Sequence, residues 1–217
     1  MGLPGFITGM EKKMIRLFVI VIGAIGFVAS AASAAVSYSF VAGQSSYEVL
    51  PGQEVMVPIY LKETLTDGSS SQIAAQNGLF SFGITVTRTS GDGQIRDLVR
   101  HTAFDRRNLG STNAFPANPA KLWAEQDVNF GNGVSPDAAG LIHLATLRFE
   151  APITGDATLS IGDYNAGTGE TVTYSFSELD SLIAPGSFTV TTAIPEPAGL
   201  SVLAIAAAGL LRRRRAC

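Results

Sequence analysis

The chain is poor in the residues on which small secreted scaffolds and most metal sites depend. Its 217 residues include one cysteine, Cys217, and two histidines, His101 and His143. A single cysteine excludes a fold held by disulfides, and with so few histidines it also excludes a zinc site of the His/Cys type. Charged residues make up only 15% of the chain and hydrophobic residues 46%, a balance that excludes intrinsic disorder.

Known catalytic motifs are also missing. The sequence contains no Gly-x-Ser-x-Gly nucleophile elbow and no phosphate-binding loop. His143 falls in a predicted strand, and a lone histidine without a positioned nucleophile performs no acyl transfer. We therefore expect a protein that is not an enzyme and that has no cofactor.

The N-terminal segment carries three basic residues, Lys12, Lys13 and Arg16. They precede Leu17–Val28, an uncharged stretch of 12 residues, and small residues follow at Ala32 and Ala34. This order predicts a signal peptide over residues 1–34, recognised by the Sec translocon and cleaved after Ala34. The stretch is shorter than the roughly 20 residues of a membrane span, so an uncleaved anchor is the weaker alternative.

The C-terminal segment has three parts in a fixed order. Pro195-Glu196-Pro197 precedes Ala198–Leu211, an uncharged stretch of 14 residues. Four arginines follow this stretch, Arg212, Arg213, Arg214 and Arg215. As a helix the stretch is about 21 Å long, so it crosses a hydrocarbon core of about 30 Å only with tilt and local thinning. The arginines should stay in the cytoplasm, which places the middle of the chain outside it.

This tail, residues 194–217, resembles the PEP-CTERM sorting signal of bacterial envelope proteins. The resemblance implies that Pro195, Glu196 and Pro197 are recognised by an exosortase, a membrane protease that cuts near this motif. It further implies that Arg212–Arg215 retain the tail at the membrane before processing. An ordinary tail anchor with a proline spacer is the alternative.

The remaining residues, 35–193, are acidic and lack cysteine. They hold eight basic and 16 acidic residues, a net charge of −8. This charge should repel nucleic acid and anionic membrane surfaces, so no nucleic-acid partner is expected. A domain of this size without disulfides depends on its apolar core, and a chain of about 150 residues buries roughly 70% of its surface.

Residues 35–193 are predicted to be all-β, because apolar residues alternate with polar ones. The predicted core residues are Val55, Val57, Ile59, Leu61, Phe80, Phe82, Ile84, Val86, Leu147 and Phe149. Shorter strands are predicted at 37–41, 46–50, 122–128, 158–161, 172–176 and 187–191. About nine strands with frequent Gly and Pro turns predict a β-sandwich. Pro58 cannot donate a ladder hydrogen bond, which favours an edge strand or a bulge there.

Five segments of this region resemble a cohesin-type domain. Ser46–Leu61 has a strand, a Pro-Gly turn and a Val-Pro-Ile strand, and Leu79–Thr87 resembles the next long strand. Leu144–Glu150 and Ala157–Asp163 resemble the paired late strands, and Phe188 with Val190 resembles the closing strand. The resemblance implies the jelly-roll sandwich shared by cohesins and some carbohydrate-binding modules. It does not extend to residues 88–134, so no dockerin-binding residue is transferred to this chain.

One polar group could contact a ligand: Trp123, Glu125 and Asp127. On a strand these side chains share one face, with the carboxylates about 7 Å apart, and a tryptophan can stack on a sugar ring. Two acids on the same strand do not flank a cleft, so we expect no glycosidase. The alternative is a polar face with one packing tryptophan. A coplanar row of exposed aromatic rings would favour sugar binding.

A second group is Asp163 with Asn165 and the glycines that follow. Aspartate and carbonyl oxygens suit calcium, but the spacing of an EF-hand is absent. An Asx-rich turn is the expected structure, and no metal is predicted.

Together these patterns predict an exported, non-enzymatic protein of the cell envelope or extracellular matrix. Its fold would be a cohesin-like jelly-roll sandwich flanked by a signal helix and a short C-terminal transmembrane helix, which anchors the protein until processing. The sandwich would serve in adhesion or structure, with a protein or polysaccharide partner. A carbohydrate-binding module is the alternative, and a glycosidase is a weaker one.

Overall fold

The computed structural model describes residues 36–66, 68–126, 132–165 and 167–193. The predicted signal peptide and sorting tail lie outside these residues. Within them the chain is all-β apart from one short helix and a 3-10 turn, as the alternating sequence predicts. None of the helices in these ranges has the length and apolar character needed to cross a membrane.

The strands and helical turns follow one another closely along the chain. Those up to residue 100 are β1 Val36–Ala42, β2 Ser46–Val49, β3 Glu54–Leu65, α1 Gln72–Ala75, β4 Leu79–Ser90 and β5 Gln94–Arg100. The later ones are β6 Arg107–Ser111, β7 Ala120–Glu125, β8 Leu141–Glu150, β9 Asp156–Asp163, β10 Val172–Thr173, a 3-10 turn Asp180–Leu182, β11 Ile183–Ala184 and β12 Gly186–Thr192.

The strands form two sheets with one apolar core. The smaller sheet has the order β11-β1-β3-β8-β5, and the larger has the order β2-β12-β9-β4-β7-β6, with β10 paired to β4. Both sheets supply side chains to a single buried cluster, so the described domain is a β-sandwich. Its largest fully buried side chains include Phe40, Phe82, Phe104, Phe149 and Phe188.

Nine of the ten predicted core residues are buried, and Val55 is partly buried. Eight of the ten belong to the buried cluster: Val57, Ile59, Leu61, Phe82, Ile84, Val86, Leu147 and Phe149. Val55 is only partly buried at the margin of the core. Phe80 is 9% exposed and packs against Tyr174 and Phe176, with ring centroids 6.1 Å away in each case.

Strands β5 and β6 are not predicted from the sequence, because their alternation is interrupted. The pairing of β5 with β8 shifts register between Ile95 and Asp97. The two buried residues of β5, Ile95 and Leu98, are therefore three apart, which does not give a period of two. A similar shift occurs in β6 between Asn108 and Gly110.

The strand predicted at 172–176 is shorter than expected. Only Val172 and Thr173 pair with β4. The chain then turns at Phe176, which has a φ of 63° and is 78% exposed. A positive φ is incompatible with an extended strand, so the alternation of Val172, Tyr174 and Phe176 is accidental.

Pro58 lies on an interior strand and not at an edge, and the pairing of β3 with β8 shifts register beside it, between Ile59 and Tyr60, which fits the predicted alternative of a bulge. β3 is the middle strand of the smaller sheet, between β1 and β8. Its pairing with β1 ends at Ile59 and Ala42, and the Gly43 N–H donates to the Pro58 carbonyl over 2.9 Å. Pro58 thus stands where the neighbouring strand has ended and no donor is required.

Phe82 tests the core. Its side chain is fully buried, and its ring lies edge to face with Phe104, 4.7 Å between centroids. We expect Phe82→Ala to lower the free energy of unfolding by about 3–5 kcal/mol, because it removes a whole ring and leaves a cavity. Urea unfolding followed by circular dichroism measures this change. Phe176→Ala is the matched control and should stay within about 0.5 kcal/mol; equal losses in the two variants would contradict the core described here.

Candidate functional site

Strand β7 carries the predicted ligand residues on the outer face of the larger sheet. Alternate residues of β7 enter the core, so Trp123 and Glu125 lie on the opposite face. The pairing of β7 with β4 places Trp123 beside Gly83 and Glu125 beside Ser81. Asp127, the third predicted residue, lies outside the described residues.

Glu125 and Trp123 are both packed against neighbours. Glu125 is 5% exposed, and its Oε1 lies 3.6 Å from Nε of Arg106. The Trp123 ring is partly buried, 6.0 Å from the ring of Tyr164 and inclined to it by 50°. Little of the carboxylate therefore faces solvent, and the two rings do not form the coplanar row that would favour sugar stacking.

The outer face is covered because the chain after β9 folds back across it. We call this part, residues 164–165 and 167–179, the crossing segment. The Ser81 hydroxyl donates to the Glu170 carbonyl over 2.6 Å, and the Gly83 N–H donates to the Thr171 hydroxyl over 3.3 Å. These bonds join β4 to the crossing segment, whose Thr171 is fully buried.

Gly83 is what allows this close approach. A Cβ at position 83 would lie 2.5 Å from Cβ of Glu170 and 2.7 Å from Cβ of Tyr164. Real Cβ atoms do not come so close to other atoms, so any side chain here would push the crossing segment off the sheet. In the sequence this glycine looks like one polar position in an alternating strand, and nothing there signals its role.

Three carboxylates meet beside the crossing segment: Asp163 at the end of β9, Glu170 within the segment and Asp180 at the 3-10 turn. Each offers one oxygen, and these oxygens lie within 4.8 Å of one another. Both Asp180 oxygens accept the Thr171 N–H, at 3.0 and 3.1 Å, and one Glu170 oxygen accepts the Thr168 hydroxyl. We call these three residues the carboxylate cluster.

Two oxygens of the carboxylate cluster are buried without any hydrogen-bond partner. They are Oδ1 of Asp163 and Oε2 of Glu170, and Glu170 as a whole is 3% exposed. Burial raises the pKa of both carboxyl groups, and the neighbouring carboxylate of Asp180 adds to the rise in each pKa. The sequence points to Asp163 alone, because the other two acids are remote along the chain.

A groove of about 560 Å³ lies at one end of the sandwich. Arg88, Asn118, Glu150 and Ile153 are among its lining residues. The backbone N–H of Arg88 donates to Oδ1 of Asn118 over 2.8 Å, and the Glu150 carboxylate forms an ion pair with Arg96. The groove is therefore lined by polar groups that already bind one another.

The two histidines meet at the smaller sheet. The ring of His143 lies 4.4 Å from that of His101 and 5.0 Å from that of Tyr60. Burial lowers the pKa of His143, and His101 lowers it further. The Nε2 atom of His143 lies 3.0 Å from the Ala145 carbonyl oxygen and 3.3 Å from the Thr146 hydroxyl, and Nδ1 of His101 accepts the Ala103 N–H over 3.3 Å.

The chain resembles several solved cohesin structures. It is 18% identical to the sixth cohesin of scaffoldin B from Acetivibrio cellulolyticus, solved with a Cel5 dockerin; the match covers 72% of this chain and 99% of that one, with a TM-score of 0.47. It is 12% identical to the OlpA cohesin from Clostridium thermocellum, solved with a dockerin; this match covers 71% of this chain and 99% of that one, with a TM-score of 0.47. It is 13% identical to the seventh ScaB cohesin from Pseudobacteroides cellulosolvens; this match covers 74% of this chain and 96% of that one, with a TM-score of 0.43. No family model and no curated protein matches the chain.

Glu125 provides a test of catalysis at the predicted face. We expect no sugar release from a panel of glycans, because Glu125 is buried and has an Arg106 partner. Glu125→Gln should instead lower the free energy of unfolding by about 1–3 kcal/mol, since Arg106 loses its charged partner and a buried hydrogen-bonding group changes. Reducing-end assays and urea unfolding measure the two effects. Turnover in the natural chain that Glu125→Gln abolishes would contradict this expectation.

His143 predicts a dependence of stability on pH. Its pKa is lowered in the folded state, so below about pH 6.5 the unfolded chain takes up a proton that the folded chain resists. The free energy of unfolding should therefore fall as the pH drops from about 7.5 to about 5.5. His143→Gln should remove this part of the fall, and a fall of unchanged size in that variant would show that other groups cause it.

Proposed function

We propose that this chain is an exported, non-enzymatic protein of the cell envelope or extracellular matrix, sorted by its C-terminal signal. The mature protein would consist of the sandwich, and the two ends would be sorting signals that are removed by proteolysis. The observation that carries this proposal is the fit between the sandwich and the segments predicted from sequence. β1 begins at Val36, just after the predicted cleavage site, and β12 ends at Thr192, just before Pro195.

The tail can reach a membrane protease without disturbing the sandwich. β12 is paired on both sides, with β9 and β2, so the chain leaves the fold from a fixed strand. The tail begins only two residues after this strand ends. Prolines at 195 and 197 restrict the backbone and disfavour helix, so the enzyme would meet an extended peptide close to the outer face of the membrane.

The sandwich itself would act in adhesion or structure through a protein partner, as the cohesin resemblance implies. The segments that carry this resemblance form β2, β3, β4, β8, β9 and β12 in the structure. Three exposed apolar side chains lie on the smaller sheet, Met56 at 58%, Val99 at 50% and Leu65 at 41%. A protein partner that covered them would remove their apolar area from water.

Intact mass of the protein from its native envelope tests the sorting signal. In cells with an active exosortase we expect the mass of a chain that lacks Arg212–Arg215. Replacing Pro195, Glu196 and Pro197 by alanine should block the cut, so the arginine tail should remain. Neutral residues at 212–215 should weaken retention, because each arginine resists burial in the bilayer by about 2.5–3.5 kcal/mol.

Cells without the exosortase are the control, and their protein should keep the tail in every variant. A mature form that retains Arg212–Arg215 in cells with the active enzyme would show that the tail is an ordinary anchor. Binding of the full chain to an array of extracellular polysaccharides, lost on Trp123→Ala, would favour the carbohydrate-binding alternative instead.

A further inference from the structure

We infer that the carboxylate cluster of Asp163, Glu170 and Asp180 is a calcium site that fixes the crossing segment on the larger sheet. Calcium binds oxygen ligands, and all three residues supply carboxylate oxygens. Two oxygens on opposite sides of Ca²⁺ lie about 4.6–5.2 Å apart, because each Ca–O distance is about 2.3–2.6 Å. The oxygens of the cluster lie within 4.8 Å of one another, so they fit around one such ion.

The buried oxygens are a second observation that points to a cation. Oε2 of Glu170 and Oδ1 of Asp163 are shielded from solvent and accept no hydrogen bond. Only 3% of Glu170 is exposed, so water does not readily donate a hydrogen bond to its unpaired oxygen. A buried carboxylate oxygen without a partner is costly, and a bound cation is the partner that three converging acids share.

The balance of charge around the cluster favours the same conclusion. The sequence has neither lysine nor arginine from residue 149 to residue 211. Lys121 is the cation that acts on Asp163, and its Nζ donates to the Tyr164 carbonyl over 2.8 Å. This ammonium group acts on Asp163, and a divalent ion would neutralise the charge that the three carboxylates share.

The donors favour calcium over other metals. The cluster has no nitrogen or sulfur ligand, so zinc and copper are disfavoured. Magnesium requires six ligands at about 2.0–2.1 Å, which would draw opposite oxygens to about 4.1 Å and demand regular geometry. Calcium accepts irregular sets of six to eight oxygens, and water or main-chain carbonyls of an irregular segment can complete them.

The site would act on the crossing segment. Glu170 carries the carbonyl that Ser81 binds, and the Thr171 N–H that Asp180 accepts belongs to the next residue. A calcium ion would therefore join the end of β9, the crossing segment and the 3-10 turn at one point. Without it, the segment would be held by its hydrogen bonds to β4, by the bond from Lys121 of β7 to Tyr164, and by bonds from Thr173 and Tyr174 to residues 76 and 78.

The test uses the full chain, purified in a mild detergent and stripped of metal with a chelator. Calcium chloride is titrated to about 10 mM, because calcium sites of extracellular modules have a Kd of about 10⁻⁴–10⁻³ M. At about 100 times the Kd the midpoint of thermal unfolding should rise by about 5–10 °C. Terbium binding, read by emission sensitised through Tyr164, gives a second readout that does not depend on stability.

Glu170→Gln and Asp163→Asn are the test variants. Each replaces one of the converging carboxylates, buried in Glu170 and partly buried in Asp163, with a neutral amide of the same shape, so the metal-free protein should be as stable as the natural chain or more stable. In each variant, the calcium concentration needed to raise the unfolding midpoint should increase at least tenfold. The terbium concentration needed for emission should increase at least tenfold as well. Glu178→Gln is the matched control, since Glu178 is an exposed acid of the same segment that lies outside the cluster.

Several outcomes would overturn the site. A natural chain that shows neither a midpoint rise nor terbium emission has no metal site here. A calcium response that survives in both variants, or that Glu178→Gln weakens equally, would show diffuse binding to an acidic surface. A stronger response to magnesium than to calcium would contradict the choice of ion.

Discussion

The described domain depends on the burial of one set of apolar side chains between two sheets. Residues 35–193 contain no cysteine, so no disulfide limits the unfolded chain. Phenylalanines from β1, β4, β8 and β12 fill the space between the sheets and are almost fully buried. Because this core uses only the inward face of each strand, the outward faces are free to carry polar groups.

Part of the outward face of the larger sheet is covered by the crossing segment. A segment with little regular structure lies across it, and Gly83 on β4 provides the space. The Glu170 carbonyl of this segment accepts the Ser81 hydroxyl, and the Thr171 hydroxyl accepts the Gly83 N–H, so β4 holds the segment on the sheet. It also brings acids from three separate places together, and repulsion among them is the electrostatic cost of this arrangement.

The proposed sorting segments and the sandwich differ in composition. The ends combine short apolar stretches with basic residues, whereas residues 35–193 carry a net charge of −8 and alternate between apolar and polar residues in most of their strands. An acidic surface keeps such a module from adhering to anionic membranes or nucleic acid. The sequence from 149 to 211 contains no lysine or arginine, and Lys121 of β7 is the cation that acts on Asp163 of the carboxylate cluster.

The sequence by itself determined the all-β class and most of the core, because alternation of Val57, Ile59 and Leu61 reports burial directly. It missed β5, since a bulge separates Ile95 from Leu98 by three positions. It left an edge strand and a bulge open for Pro58, since where a neighbouring strand ends is not encoded locally. Tertiary structure alone decided that Glu125 is buried and that Asp163, Glu170 and Asp180 converge. Such contacts depend on a segment folding back over a sheet, and no local pattern of residues specifies that path.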